Sequence, residues 1–418
     1  MFTFLHAADI HLDSPLTGLS QRDDAPTETI RGATRAALTR LVDCALTERV
    51  DFVVIAGDLY DGDWKDFRTG ISFNNEMRRL ELEHIPVFLI HGNHDAESRV
   101  TKSLKLQENV HVFPTKHAGT VDHPTLPVSI HGQGFATQAV TENLAEKYPK
   151  PSDNRYNIGV LHTNLGDREG HGNYAPSSLS QLVAHGYDYW ALGHIHVRDI
   201  HHRNPHVVYS GNTQGRHAKE TGAKGCYLVS VDADLKTTKC DFVALDCVRW
   251  ENLVVDCSEL AAEPALLDAI RIQLSDSLAD ADGRLLAARV TLTGHTQMHE
   301  LLHAQHSRLR AECQNLALDI DAELIWIEDL RVKTRTLIDP ATLAQQDDLT
   351  AFVLEAVEAF DPNKLPAGVE ALVKRIPPEA TQALQSTLKP NSEPEREAIR
   401  DEIRAIVLQA IATSDSGA

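Results

Sequence analysis

Five short segments rich in histidine and aspartate each follow an apolar run in the first half of this chain. They are Asp9-Ile10-His11, Gly57-Asp58-Leu59-Tyr60-Asp61, Gly92-Asn93-His94-Asp95, the lone His162, and Gly193-His194-Ile195-His196. The runs before them are short and rich in β-branched and aromatic residues, so they read as strands: Phe2–Ala8, Phe52–Ala56, Val87–Ile90, Ile158–Leu161 and Tyr187–Leu192. Apolar stretches this continuous have no solvent-facing alternation, which calls for sheets covered on both faces. Polar motifs just past the C-terminal ends of strands sit where an α/β sheet places a site. A strand also sends alternate side chains to one face, so Asp9 and His11 are expected to point the same way, as are His194 and His196. Gly57 and Gly92 precede motif residues where a sharp turn or close backbone approach would need them.

Four further strands are predicted at Val128–His131, Val207–Ser210, Cys226–Val231 and Phe242–Leu245, with helices over Thr27–Glu48 and Ile71–Leu82. The expected fold class is α/β (α+β), with a two-sheet β-sandwich core over residues 1–247 flanked by helices. Beyond it the pattern reads strand (Leu253–Val255), helix (Pro264–Ser277), strand (Leu285–Leu292), helix (His299–Leu316) and strand (Leu324–Val332), a small α/β capping domain over 248–338. Asp339-Pro340 marks a linker. Residues 339–418 form a helical C-terminal region with apolar stripes at Leu349, Phe352, Val353, Ala356 and Phe360, and at Ile399, Ile403, Ile406 and Ala410. That tail either packs on the body or docks on a partner.

Composition narrows the class. The chain has 418 residues, 42% hydrophobic and 24% charged, the balance of a globular protein rather than a membrane or disordered one. No apolar run approaches the roughly 20 residues of a membrane helix, and Met1–Ala8 runs straight into Asp9 without a signal-peptide pattern. The six cysteines are scattered and form no C-x-x-C pair, so a reducing cytoplasm is the expected compartment. The formal charge of −20 argues against wrapping nucleic acid over a broad basic face. It leaves room for a cleft in which metals and a few cations, such as those among Arg198, Arg203, Arg216, Lys219 and Lys224, neutralise a phosphate.

Eighteen of the 22 histidines lie before position 218, which puts metal chemistry in the first half. The five segments supply ligands for two adjacent divalent ions. Asp58, a carboxylate in a Gly-Asp turn, is the natural bridge. Asp9, His11, Asp58 and His196 are assigned to one ion, and Asp58, Asn93, His162 and His194 to the other. Mixed carboxylate, amide and imidazole donors suit Mn2+, Fe2+ or Zn2+ better than calcium. Two such ions hydrolyse phosphate esters. His94 is left over as a catalytic group to protonate or stabilise the leaving oxygen, with Asp61 to orient its ring and raise its basicity. Arg216 and His217 are candidates for contact with the substrate phosphate, or for a loop salt bridge. Asp13 is either part of the site's surroundings or a turn cap.

In its motif order, D-x-H, GD-x-x-D, GNHD, H and GH-x-H, the chain resembles the calcineurin-like metallophosphoesterase superfamily. Its start, His6 to Asp13-Ser14-Pro15 and on to Gly18-Leu19, looks like the DNA-repair exonucleases of the SbcD and YhaO type. So does Ser210-Gly211-Asn212-Thr213-Gln214-Gly215-Arg216-His217 with Glu220-Thr221-Gly222-Ala223-Lys224-Gly225. The resemblance covers residues 1 to about 245. It implies a manganese-dependent DNA nuclease, an exonuclease and potentially also an endonuclease, acting in repair beside a coiled-coil ATPase of the SbcC type that the C-terminal helices bind. The chain has no G-x-x-x-x-G-K-[ST] loop, so that ATPase would be a separate polypeptide. Members of the family often form homodimers, and no residue pattern here bears on that. Asp61-Gly62-Asp63 and GNHD stand where protein phosphatases of the superfamily carry DRG and GNHE, which argues against that branch.

Three rival readings stand beside this one. The same site in a narrower pocket would be a phosphodiesterase for small molecules or nucleotides. A fold that had lost its metals would be an adaptor, which the complete ligand set opposes. His299-Glu300-Leu301-Leu302-His303 spells H-E-x-x-H on an expected helix, the signature of zinc metalloproteases, but no third ligand follows at a family spacing.

Overall fold

The computed structural model describes residues 1–14, 25–61, 67–97, 105–166 and 174–336, with isolated positions beyond. The flank from Pro15, the pair Gly62-Asp63, the Asp339-Pro340 linker and both tail stripes, Ile403 apart, lie outside these described residues. The chain divides into two compact units. One comprises Met1–Glu251 with Ser277–Ala287, the other Asn252–Asp276 with the chain from Ala288 onward.

In the first unit the elements run β1 (Phe2–Ala7), α1 (Thr27–Thr47), β2 (Phe52–Ala56), α2 (Phe67–Leu82), β3 (Val87–Ile90), α3 (Asn93–Glu97), β4 (Val110–Val112), β5 (Gly119–Asp122) and β6 (Val128–Gly132). They continue as β7 (Tyr156–His162), α4 (Leu179–Ala184), β8 (Tyr189–Gly193), β9 (Asp199–Arg203), β10 (His206–Tyr209), β11 (Gly225–Val231) and β12 (Thr237–Ala244). Two six-stranded sheets result, ordered β12-β11-β1-β2-β3-β4 and β5-β6-β7-β8-β10-β9. Both are mixed. The run from β1 to β4 is parallel, as is the run from β6 through β7 and β8 to β10, and antiparallel strands close the flanks. Neighbouring parallel strands end in register, Ala7 beside Ile55 and Ala56 beside Ile90, so their following loops emerge at the same edge.

The continuous apolar runs have the expected cause. Every residue of β2, β3, β6, β7 and β8 is buried. Phe4, Phe52, Val54, Phe88, Ile130, Ile158, Val160, Tyr189 and Val229 interdigitate in one core cluster shared by the two sheets. Alternate residues of the same strands, Leu5, Val53, Ile55, Val87 and Leu89, pack with Leu38, Leu41 and Val42 of α1 and Phe73, Met77 and Leu80 of α2. Those helical residues recur at spacings of three and four, which turns one stripe of each helix to the sheet. Burying each such side chain stabilises by about 1.5–3 kcal/mol.

β4, β5 and β9, which pattern alone does not reveal, are short or half-exposed and carry little apolar signal. Asp13 joins the two helices to the loop after β1. Its carboxylate takes a bidentate ion pair from Arg35, with Nε at 2.6 Å, and the Thr69 hydroxyl, while its backbone N–H donates to Thr34.

The rest of the described chain, chiefly the second unit, is built on β13 (Val248–Asp256), α5 (Glu263–Asp280), β14 (Leu285–Thr293), β15 (His295–Thr296), α6 (His299–Ala304), α7 (His306–Asp321), β16 (Ile325–Val332) and β17 (Arg335–Thr336). Its three-stranded sheet is ordered β13-β14-β16, and β15 pairs with β17 in parallel. Leu266, Ile270 and Leu274 of α5 and Leu309, Cys313, Leu316 and Ala317 of α7 are buried. The single helix expected over His299–Leu316 is two, broken at Gln305. None of the described helices is long and apolar enough to cross a membrane.

Candidate metal centre

All five motif loops of the first unit converge, but not by the route that strand alternation implies. β1 ends at Ala7, and Asp9 and His11 both have left-handed backbone, with φ of 50° and 46°. β8 ends at Gly193, and His194 has φ of 97°. Asp58 likewise sits at 51°. The side chains therefore meet because the backbone kinks sharply after each strand, not because a pleat continues. Left-handed residues other than glycine are held against a cost of roughly 1–3 kcal/mol each, a strain that concentrates at functional sites. What holds them is pairing between loops. The N–H groups of Asp9 and His11 donate to the carbonyls of Gly57 and Asp58 at 3.0 Å, and that of Thr163 donates to Gly193 at 3.2 Å.

The two glycines do what their position suggests. A Cβ on Gly57, where φ is +93°, would lie 2.5 Å from His162 Nδ1. One on Gly92 would lie 2.2 Å from Asp58 Oδ1. Asp95, the last residue of the GNHD motif, has a role that spacing does not disclose. Its carboxylate accepts from the N–H groups of Leu59, Tyr60 and Gly92 at 2.9–3.1 Å, tying the loop after β2 to the loop after β3.

At the centre lies Asp58, fully buried. Its Oδ1 accepts from the His94 N–H at 2.9 Å, and its Oδ2 faces His162 Nε2 at 3.3 Å and His11 Nε2 at 3.8 Å. Burial pushes its carboxyl up, but its contacts with the imidazoles of His162, His11 and His94 outweigh that and hold it well below the usual carboxylate range. On one side Asp9, whose two oxygens accept from the His194 N–H at 3.0 Å, groups with His11 and His196. On the other side Asp58, His162 and His194 group together, and Asn93 Oδ1 is 3.0 Å from His162 Nε2. His94 also comes within range of His11 and Asp58.

The donor chemistry suits cations. His196 commits Nδ1 to Glu220 Oε1 at 2.7 Å, yet its Nε2 faces His11 Nε2 at 3.1 Å. Burial, with Arg216 nearby, pushes His11 down to about 4, so it is a neutral imidazole with a lone pair to offer. His162 has Nδ1 on the Ala56 carbonyl at 2.9 Å, and its Nε2 meets two further acceptors, Asn93 and Asp58. Burial disfavours its cation, but Asp58 raises it to about 9. The facing Nε2 atoms of His11 and His196, close to the Asp9 and Asp58 carboxylates, are what a divalent ion satisfies.

Around this cluster, His94 Nδ1 lies 2.8 Å from Asp61 Oδ1, and Ser14 Oγ donates to Asp61 Oδ2 at 2.5 Å. Burial opposes a charge on His94, but Asp61 and Asp58 raise its pKa above the usual histidine value. Arg216 lies inside the site, 3.4 Å from Asp61 Oδ2 and 3.2 Å from Glu220 Oε1. His217 is exposed and 3.7 Å from Glu220. Of the other cations in that stretch, Lys224 is buried and donates to the His196 carbonyl at 2.9 Å, and Arg198 lies 3.9 Å over the Phe242 ring.

The H-E-x-x-H motif of the second unit does not gather such a set. α6 spans only His299–Ala304, His299 Nδ1 meets the Thr334 hydroxyl at 3.0 Å, and the His299 and His303 rings lie 4.5 Å apart. Among the described residues, every group of three or more potential metal donors lies in the first unit.

Similarity to known proteins agrees with this geometry. Residues 2–198 match the calcineurin-like phosphoesterase family, and residues 250–335 match the middle domain of metallophosphoesterase YhaO. An uncharacterized metallophosphoesterase YhaO of Bacillus subtilis (strain 168) is 33% identical over 373 residues, 88% of this chain and 90% of that protein. The chain belongs to the YhaO family of calcineurin-like metallophosphoesterases. At lower identity, 24% over 246 residues, stands the DNA double-strand break repair protein Mre11 of Sulfurisphaera tokodaii, with 56% of this chain and 60% of that protein covered. The SbcD component of the SbcCD nuclease of Staphylococcus epidermidis is 24% identical over 237 residues, 50% of this chain and 60% of that one. This YhaO-family protein is thus a metal-dependent phosphoesterase, and its candidate di-metal cluster lies within the matched phosphoesterase segment, apart from the loop 210–220.

Proposed function

We propose that this metallophosphoesterase hydrolyses phosphodiester bonds in DNA, as an exonuclease with potential endonuclease action, and serves DNA repair. The observation that carries the reading is the convergence of donors from the ends of five strands around Asp58, with His94 beside it on Asp61. The kinship with proteins named for double-strand break repair and for the SbcCD nuclease supports DNA over smaller substrates. Asp9, His11, Asp58 and His196 would hold one ion, and Asp58, Asn93, His162 and His194 the other, with manganese the intended metal in a cytoplasmic setting. When bound, two such ions supply Lewis acidity to the phosphoryl oxygens and lower the pKa of an attacking water.

The chain's own groups do the rest. Asp61 fixes the His94 ring through Nδ1 and leaves Nε2 to deliver a proton to the departing oxygen. Ser14 holds the far oxygen of Asp61. Arg216, with His217 at the rim, neutralises a phosphate. A separate ATPase of the SbcC type is the expected partner, with residues 339–418 as its docking segment and 248–338 as a cap.

A substrate panel tests this: linear, nicked, hairpin and single-stranded DNA, RNA, and bis-p-nitrophenyl phosphate, each with Mn2+, with and without a candidate ATPase. Cleavage of DNA is the expected result. Turnover of bis-p-nitrophenyl phosphate or cyclic nucleotides with no DNA cleaved under any metal would replace the nuclease reading by that of a small-molecule phosphodiesterase. Recovery of the ATPase by residues 1–340 as well as by the full chain would remove the docking role of the tail.

A further inference from the structure

We propose that Glu220 is a positioning residue that holds the His196 ring and the Arg216 guanidinium as one unit, coupling ion binding at the Asp9–His11–His196 end of the cluster to capture of the substrate phosphate. The proposal rests on the di-metal reading of that cluster. Glu220 lies in the loop between β10 and β11, outside all five motifs. It is 8% exposed, and both its oxygens are engaged. Oε1 takes His196 Nδ1 at 2.7 Å and Arg216 Nη2 at 3.2 Å. Oε2 accepts from Asn212 Nδ2 at 3.0 Å and from the Arg216 N–H at 2.7 Å.

The first contact decides which ring nitrogen of His196 carries the proton. With Nδ1–H given to a carboxylate, the lone pair of Nε2 is fixed toward His11, 3.1 Å away, and the imidazole becomes a stronger donor to a metal. The second contact sets where the guanidinium sits. Arg216 Nη1 reaches Asp61 Oδ2 at only 3.4 Å, a weak contact that a phosphate can replace, whereas its grip on Glu220 involves both side chain and backbone. Glu220 thus links the ligand His196 to Arg216, and Arg216 links on to Asp61 and His94.

The loop does not depend on Glu220 alone. Gln214 donates to the Val248 carbonyl at 2.7 Å and accepts from the Cys247 N–H at 2.7 Å, and the Trp250 indole donates to the Gly215 carbonyl at 2.8 Å. Lys224 supports the His196 backbone separately. A purely structural role would therefore leave metal affinity untouched in a folded protein whose Glu220 side chain is truncated.

The experiment compares the full-length wild type with E220Q and E220A, using Mn2+ titration calorimetry, thermal melting, 15N NMR of histidine-labelled protein, and kcat and KM on bis-p-nitrophenyl phosphate. E220A should lose about 10–100-fold in affinity at one of the two ion sites and keep the other. E220Q can still accept from Nδ1–H. It should keep the His196 Nδ1–H signal and most of the affinity, yet show a raised KM because Arg216 has lost its counter-charge. A wild type that binds two ions beside an E220A variant that binds both equally tightly overturns the role of Glu220 alone. A wild type that binds fewer than two overturns the di-metal reading with it. If E220A does not fold, E220Q decides: a raised KM with metal retained supports the coupling, and an unchanged KM overturns it.

Discussion

Two histidine motifs in this molecule spell out metal-binding patterns, and among the described residues only one becomes a cluster. His194 and His196 stand two apart in the first unit, and His299 and His303 stand four apart on α6 in the second. The first pair meets Asp9, His11, Asp58 and His162, delivered at the ends of three other strands. In the second pair the two rings lie 4.5 Å apart and His299 meets the Thr334 hydroxyl. The difference lies in long-range geometry. Parallel strands that end in register bring loops from distant sequence to one edge, and buried carboxylates then make a cation the most favourable way to satisfy facing acceptors. A local i, i+4 spacing on a six-residue helix supplies two rings, and among the described residues no group of three potential metal donors forms around them.

The sharpest way to break the contrast is to remove one side chain from each place. Asp58→Asn, or chelation of the wild type, should lower phosphoesterase activity about a thousandfold or more, reflecting the several kcal/mol that metal ions contribute. His303→Ala should stay within about twofold. Steady-state assays with metal content measured alongside check both, and a severe catalytic loss in a folded His303→Ala protein would restore the protease reading. His94→Ala comes next. It should lower kcat by about 10²–10⁴ while both ions remain bound, since its proposed work is proton transfer. Undiminished turnover would remove His94 from the chemistry.

Much of this was legible in the residues. Strands β2 and β3 and helix α1 follow from uninterrupted apolar runs and a three-four periodicity, and their observed limits match those runs closely. The motif residues were legible because their types and order are improbable together. Three things were hidden. The left-handed backbone at Asp9, His11 and His194 depends on pairing between loops some fifty or more residues apart in some cases, such as Asp9 with Gly57, which no local pattern encodes. The break at Gln305 leaves the apolar spacing of the helix almost unchanged. Glu220 opens a segment quoted only for its resemblance, and its contact with His196 is what gives it a role.

Glycine offers a matched pair of smaller perturbations. Gly92→Ala would place a Cβ 2.2 Å from Asp58 Oδ1, and Gly294→Ala in the second unit would place one 2.1 Å from Asp256 Oδ1. Both should lower the melting temperature. Only Gly92→Ala should weaken Mn2+ binding, by about tenfold or more, because it displaces a ligand. Equal metal affinities in the two variants would show that the Asp58 loop tolerates displacement.

The smallest expected effect concerns a buried imidazole outside the cluster. Burial pushes His6 down to about 3, with a contact to the Leu192 backbone working the other way. Its folded value lies below its unfolded one, so the neutral ring stabilises the fold above about pH 6.5, and that contribution fades as pH falls toward 3. By pH 5 the loss should be about 2 kcal/mol, read from urea unfolding at pH 7 and pH 5 for wild type against a His6→Gln variant. Parallel pH profiles for the two would show that His6 is not the group responsible.

The most direct test of the central claim is anomalous diffraction at the manganese edge from crystals grown with Mn2+. Two adjacent peaks are expected with Asp58 between them, one against Asp9, His11 and His196, the other against Asn93, His162 and His194. A single peak, none, or a peak at His299 and His303 would contradict it.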